Sequence, residues 1–109
     1  MERQGLGDFE KSVLLAIVHL RGRGYGPSIA DEIERRTGRR VSFGAVYATL
    51  DRLRKKGLIS SELGEPTPER GGKPKRFYRV EAPGQRSLAE AQAMAERMWE
   101  GVRPIGAPA

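Results

Sequence analysis

Apolar residues between positions 8 and 21 recur at steps of three and four, and Phe9, Val13, Ala16, Ile17 and Leu20 fall on one stripe. That period predicts a helix running from Asp8, a good N-cap, to about Arg21. Leu14 and Val18 fall to the side of the stripe, and Leu15 nearly opposite it. So wide an apolar surface leaves two readings: contact with a second chain, or burial beneath the domain's other helices. Ile29, Ala30 and Ile33 give a second helix its core face, with Pro27 at its first position and Gly38 at its end. Its charges follow the helix dipole, with Asp31 and Glu32 early and Arg35 and Arg36 late. Ser42 is a natural N-cap for a third helix that ends at Gly57, and Val46, Leu50 and Leu53 are its core face.

Beyond Gly57 the period shortens. "LISSEL", residues 58–63, and "KRFYRV", residues 75–80, read as two short strands around the loop "GEPTPERGGKP". Tyr78 and Val80 share one face of the second strand and Phe77 takes the other. The result is a hairpin with a long, basic tip. A last helix is predicted from about Pro83 to Gly101, where Leu88, Ala91, Ala95, Met98 and Val102 make a heptad-like seam flanked by Met94 and Trp99. The pattern therefore predicts a mainly α fold with a small β-hairpin. Its expected organisation is a domain over residues 8–81, a C-terminal helix over 82–102, and flexible ends at 1–7 and 103–109.

Composition narrows the possible chemistry. A chain of 109 residues suits one domain. It has no cysteine and a single histidine, His19, which excludes disulfides and thiolate metal sites and leaves no histidine cluster for zinc. "GRGYG", residues 22–26, follows a helix and lacks the full dinucleotide fingerprint, and "GGKP" is not a P-loop. No nucleophile–base pair stands out, so an enzyme is the weakest class and no cofactor is expected. The longest apolar run, residues 13–18, is far too short to span a bilayer, and the N-terminus lacks the features of a signal peptide. A soluble, cytoplasmic protein with no membrane partner is the expectation.

Charge then points to a partner. The chain carries +6, but residues 35–80 hold 13 Lys/Arg against four Asp/Glu, a local balance of +9. A basic middle between mildly acidic ends suits a polyanion. On a helical wheel, Ala45, Ala48, Thr49, Arg52, Lys55 and Lys56 of the third helix cluster opposite its core face. Small residues let a helix lie deep in a groove about 12 Å wide, and cations beyond them reach the phosphates on its walls. A helix, a tight turn and such a helix form a helix-turn-helix, so double-stranded DNA is the expected partner. Ser42, at the start of the helix, and Arg39 and Arg40, in the turn before it, join the candidate contacts. So do Arg70, Lys73, Lys75 and Arg76 of the hairpin. Tyr47 has two readings, a hydroxyl on phosphate or a helix-packing ring. For the cations the other reading is a solvated surface.

The ordered motifs resemble the PadR family of bacterial transcription regulators. Tyr25 and Gly26 stand at the entry to the second helix. Gly44, Val46, Tyr47, Leu50, Arg52, Leu53, Gly57 and Leu58 match the family's recognition helix, and Tyr78, Arg79 and Val80 close its basic wing. Phe43 and Ala45 stand where many members carry proline and threonine, and Glu81 where threonine is common. The resemblance spans roughly residues 12–86 and, with one helix after the wing, is to the short members. It implies a winged helix-turn-helix homodimer, built by the first and last helices, that represses transcription from a palindromic operator.

Leu14, Val18, Leu88, Ala91, Met94, Ala95, Met98 and Trp99 are the candidates for that dimer interface. The same thioether and aromatic groups also suit a small apolar or aromatic effector that releases DNA. Rival readings are a non-specific architectural DNA binder and a winged-helix protein-interaction module.

Overall fold

The computed structural model describes residues 5–66, 73–103 and 105–106. Its elements run α1 (Asp8–Leu20), α2 (Gly26–Thr37), α3 (Phe43–Lys55), β1 (Ile59–Pro66), β2 (Pro74–Val80) and α4 (Ala82–Trp99). This is the mainly α architecture with one hairpin that the apolar pattern predicts. The expected flexible ends and the hairpin tip, with Arg70, fall largely outside the described residues.

The first three helices bury a common core of Val13, Leu14, Ala16, Ile17, Ile29, Ala30, Ile33, Val46, Leu50 and Leu53. Leu58, Ile59 and Tyr78 extend it to the base of the hairpin. Leu14 is wholly buried, which corrects its placement among the interface candidates: α2, α3, β2 and α4 all pack against α1. Only Leu15 and Val18 of that wide surface remain 47% and 40% exposed.

Helix ends follow local chemistry, with two departures, the first being that Gly26 rather than Pro27 opens α2, behind the N-cap Tyr25. The N-cap of α1 is Gly7 rather than Asp8, because the Glu10 carboxylate reaches back to accept from the Gly7 N–H at 2.9 Å. Ser42 caps α3 as predicted, its hydroxyl accepting from the Ala45 N–H at 3.1 Å. At the other end, Gly57 takes a left-handed φ of 75°. Its N–H donates to the Arg54 carbonyl at 2.9 Å, while the Leu58 N–H donates to the Leu53 carbonyl at 3.0 Å. That pair of bonds is a Schellman motif, which reverses the chain and puts Leu58 beside Leu53 in the core.

The hairpin is antiparallel, pairing Ile59 with Val80 and Leu63 with Arg76, and its register shifts between Leu63 and Pro66. Tyr78 also pairs with Gly24 of the loop before α2, donating to its carbonyl at 2.8 Å. The α1–α2 loop thereby anchors the hairpin to the helical body. At the start of α4, Gly84 sits against the Leu58 carbonyl, closer than any side chain would allow. The first turns of α4 therefore dock on the core, with Leu88 half-buried, while the later turns are exposed.

Candidate nucleic-acid interface

The turn between α2 and α3 sets which face of α3 meets solvent. Val46, Thr49, Leu50 and Leu53 are buried. Thr49 is only 1% exposed, so it cannot present its side chain to a groove as the wheel suggests. The exposed face is consequently rotated, and its outermost line runs Gly44, Ala48, Asp51 and Lys55. Ala45 and Arg52 form one margin of that face; Tyr47 and Arg54 form the other.

Thr49 keeps a polar task beneath the surface. Its hydroxyl accepts from the Arg52 guanidinium at 3.0 Å. Glu10, 8% exposed, lies beside that pair, accepting from the Lys56 ammonium at 2.9 Å with Arg52 Nε at 3.9 Å. The Gly7 N–H, then Lys56 and Arg52, hold the Glu10 carboxyl below its ordinary value against a burial cost that raises it. Glu10 was absent from the sequence reading because the contact joins residues 46 positions apart. Lys56 is thus drawn towards α1, while Arg52 is oriented by Thr49 and Glu10 with its side chain still 54% exposed.

Tyr47 is half-exposed, and its ring lies across the first residue of α2. A side chain at Gly26 would overlap the Tyr47 hydroxyl and ring, so the tyrosine and the glycine form one packing unit. The exposed edge of Tyr47 lines a polar cleft between α3 and the hairpin, shared with Asp51, Arg54, Ser61, Arg76 and Tyr78. Arg76 donates to the Ser61 hydroxyl at 3.0 Å. Burial raises the Tyr78 phenol above its ordinary value.

Arg54 and Asp51 were both missed by sequence reasoning. Their place facing the hairpin depends on where the strands return, and the helical wheel carries no signal of that. Asp51 accepts from Lys55 at 2.9 Å and from Arg54 at 3.0 Å, bonds that hold its carboxyl below its ordinary value.

The hairpin cations separate by strand alternation. Arg76 faces the cleft, whereas Lys75 lies on the other face with its ammonium 4.6 Å from the Tyr25 ring centre. Phe77 meets the same Tyr25 ring edge-on at 5.9 Å. Lys73 is exposed at the start of the return strand. Arg39 and Arg40 are exposed in the turn before α3, Arg40 lying 3.8 Å from Glu34. The Ser42 hydroxyl is engaged in capping.

On the far side, Ala91, Met94, Ala95 and Met98 of α4 line a groove of about 410 Å³ with Gly5, Leu6 and Lys11. Met94 and Met98 are 60% and 77% exposed. Trp99 is also exposed, but lies outside the residues lining this groove. Among the described residues no helix is long and apolar enough to cross a membrane, and no group of carboxylates or histidine could hold a metal ion.

Comparison with known proteins supplies the family. A comparison with curated proteins finds no match. Among solved structures, the chain is similar to a PadR family transcriptional regulator from Eggerthella lenta, at 29% identity over 83% of this chain and 76% of that one, with a TM-score of 0.65. It is similar to a PadR-like transcription factor from Bacteroides fragilis at 25% identity, covering 86% and 85% of the two chains with a TM-score of 0.70. A PadR-like regulator from Bacillus cereus shares the fold at 21% identity, covering 86% and 89%, with a TM-score of 0.64. The sequence pattern of the transcriptional regulator PadR-like family matches residues 14–90. With that match over most of its length, and with a helix-turn-helix followed by a basic hairpin, the chain belongs to the PadR-like family of DNA-binding transcription regulators.

Proposed function

We propose that the protein is a sequence-specific repressor that binds a palindromic operator as a homodimer. The observation that carries this reading is the exposed face of α3. Gly44, Ala45 and Ala48 leave its first turns thin, Arg52, Arg54 and Lys55 supply cations further along, and Arg76 of the hairpin stands on the same side. The helix enters the major groove, and the hairpin meets the adjacent backbone. Arg39, Lys73 and Arg76 contact phosphate, and Arg52, preset by Thr49 and Glu10, reaches the groove wall.

The exposed apolar residues of α4, with Val18 of α1, form the contact with the second copy. The Met94–Met98 groove lies at the edge of that contact, and a small apolar effector bound there releases the DNA.

Selection from a random pool of duplex DNA, at low and moderate salt, tests the reading. A palindrome with half-site centres about 34 Å apart supports it. Tight binding without enrichment makes the protein an architectural DNA binder, and no binding at either salt makes it a protein-interaction module.

A further inference from the structure

Asp51 is the one acidic residue on the exposed face of α3. It stands one turn after Ala48 and one turn before Lys55, on the outermost line of the helix, with its side chain 48% exposed. A negative group there opposes any purely electrostatic use of the face, since phosphates carry the same charge. Its position has a chemical consequence. An ionised carboxylate only accepts hydrogen bonds, and phosphate oxygens do the same. The backbone therefore offers Asp51 no partner. In the major groove the available donors are the N4 amino group of cytosine and the N6 amino group of adenine. Adenine N6 lies between two acceptors, its own N7 and the O4 of its thymine, and both repel a carboxylate. Cytosine N4 has the guanine O6 on one side only, with an apolar C–H on the other.

The surrounding groups favour the same choice. Arg54 and Lys55 hold the two oxygens of Asp51 at 3.0 and 2.9 Å, so the carboxylate is oriented before DNA arrives. They are donors, and the guanine opposite a cytosine presents O6 and N7 as acceptors. A C·G pair thus satisfies both the carboxylate and the cation beside it. Gly44 and Ala48, on the same line, let the helix approach closely enough for the short aspartate to reach a base edge.

Resting on the sequence-specific reading above, we infer that Asp51 selects a cytosine in each half-site, its carboxylate accepting from N4 while Lys55 turns to the paired guanine. The other role open to Asp51 is a counter-charge that tempers Arg54 and Lys55. The two differ in what they do to sequence preference.

The experiment is selection followed by affinity measurement on the full chain, for the wild type and for Asp51→Asn and Asp51→Ala. The wild type is expected to enrich one C·G pair per half-site. Asp51→Asn is expected to shift that single position towards adenine, whose N6 and N7 an amide can bond together, and Asp51→Ala to accept any base there. Preference for cytosine at that position falls on the order of tenfold or more, with the other positions unchanged. Thermal melts show whether the variants fold, and an exposed site predicts that they do. An unchanged base profile with uniformly tighter binding in both variants overturns the inference in favour of the counter-charge. A wild type that binds but enriches no sequence overturns the sequence-specific reading itself, and this inference with it.

Discussion

Glu10 shows how one residue links distant parts of the chain. Its carboxylate closes the first turn of α1 and holds the last turn of α3 through Lys56. Because its folded value is depressed below an ordinary 4.5, its contribution is fully present above that value and is lost as pH falls below it. Glu32, held by Arg36 and Arg35, acts in the same direction. Urea unfolding should give a stability flat between neutral pH and about pH 5.5, then falling through the acid range. Glu10→Ala removes the cap and is expected to cost about 1–2 kcal/mol at neutral pH and to flatten the acid loss. An acid profile unaltered by the substitution would remove Glu10 from that role. Gly26 is the second such residue. Gly26→Ala forces the Tyr47 ring to move and should cost about 1–3 kcal/mol, measured by the same unfolding. Tyr47→Ala in that background should recover part of the loss by removing the overlap, a coupling that a double-mutant cycle reads directly.

Among the elements, the pairing of α3 with the hairpin decides which cations share a surface. Arg76 and Lys75 are neighbours in sequence, yet the strand sends them to opposite faces. Arg76→Ala is expected to weaken binding similarly across all DNA sequences and to reduce the slope of log affinity against log salt by about 0.9. Lys75→Ala, which removes a cation resting on Tyr25, should change that slope much less. Titrations at several salt concentrations check both, and equal losses would mean that the hairpin meets DNA on both faces. Lys55→Ala should weaken binding as well, since Lys55 lies on the outermost line of α3.

For the whole molecule, the exposed end of α4 is the feature a lone chain leaves unexplained. Met98 is 77% exposed, so Met98→Glu should leave the stability of the single chain within about 0.5 kcal/mol. In a dimer built on this helix, the same change places a charge in an apolar contact. Sedimentation should then show monomers, and operator affinity should fall more than tenfold because the two half-sites are no longer bound together. A dimer that survives Met94→Glu and Met98→Glu together would place the interface elsewhere.

Much of this was determined by the sequence alone. Local chemistry is short-ranged, so the apolar period, the Ser42 cap and the Gly38 and Gly57 stops were enough to locate the helices. The change to alternating positions located the hairpin. The motif order from Tyr25 to Val80 was enough for the family, because its residues are tied to local geometry: Gly26 to the Tyr47 ring and Gly57 to a left-handed turn. Tertiary structure decided how each element is rotated about its axis. A wheel measures the apolar arc but does not register a buried hydroxyl, so it places Thr49 on the exposed face although the fold leaves it 1% exposed. Of the two readings of the wide surface of α1, packing by α2, α3, β2 and α4 selects burial for Leu14, and only the assembled fold makes that selection. The bond from Glu10 to Lys56 and the cleft joining Asp51, Arg54 and Arg76 bring together residues far apart in the chain. Such contacts exist only once packing has brought the elements together, and no local pattern encodes them.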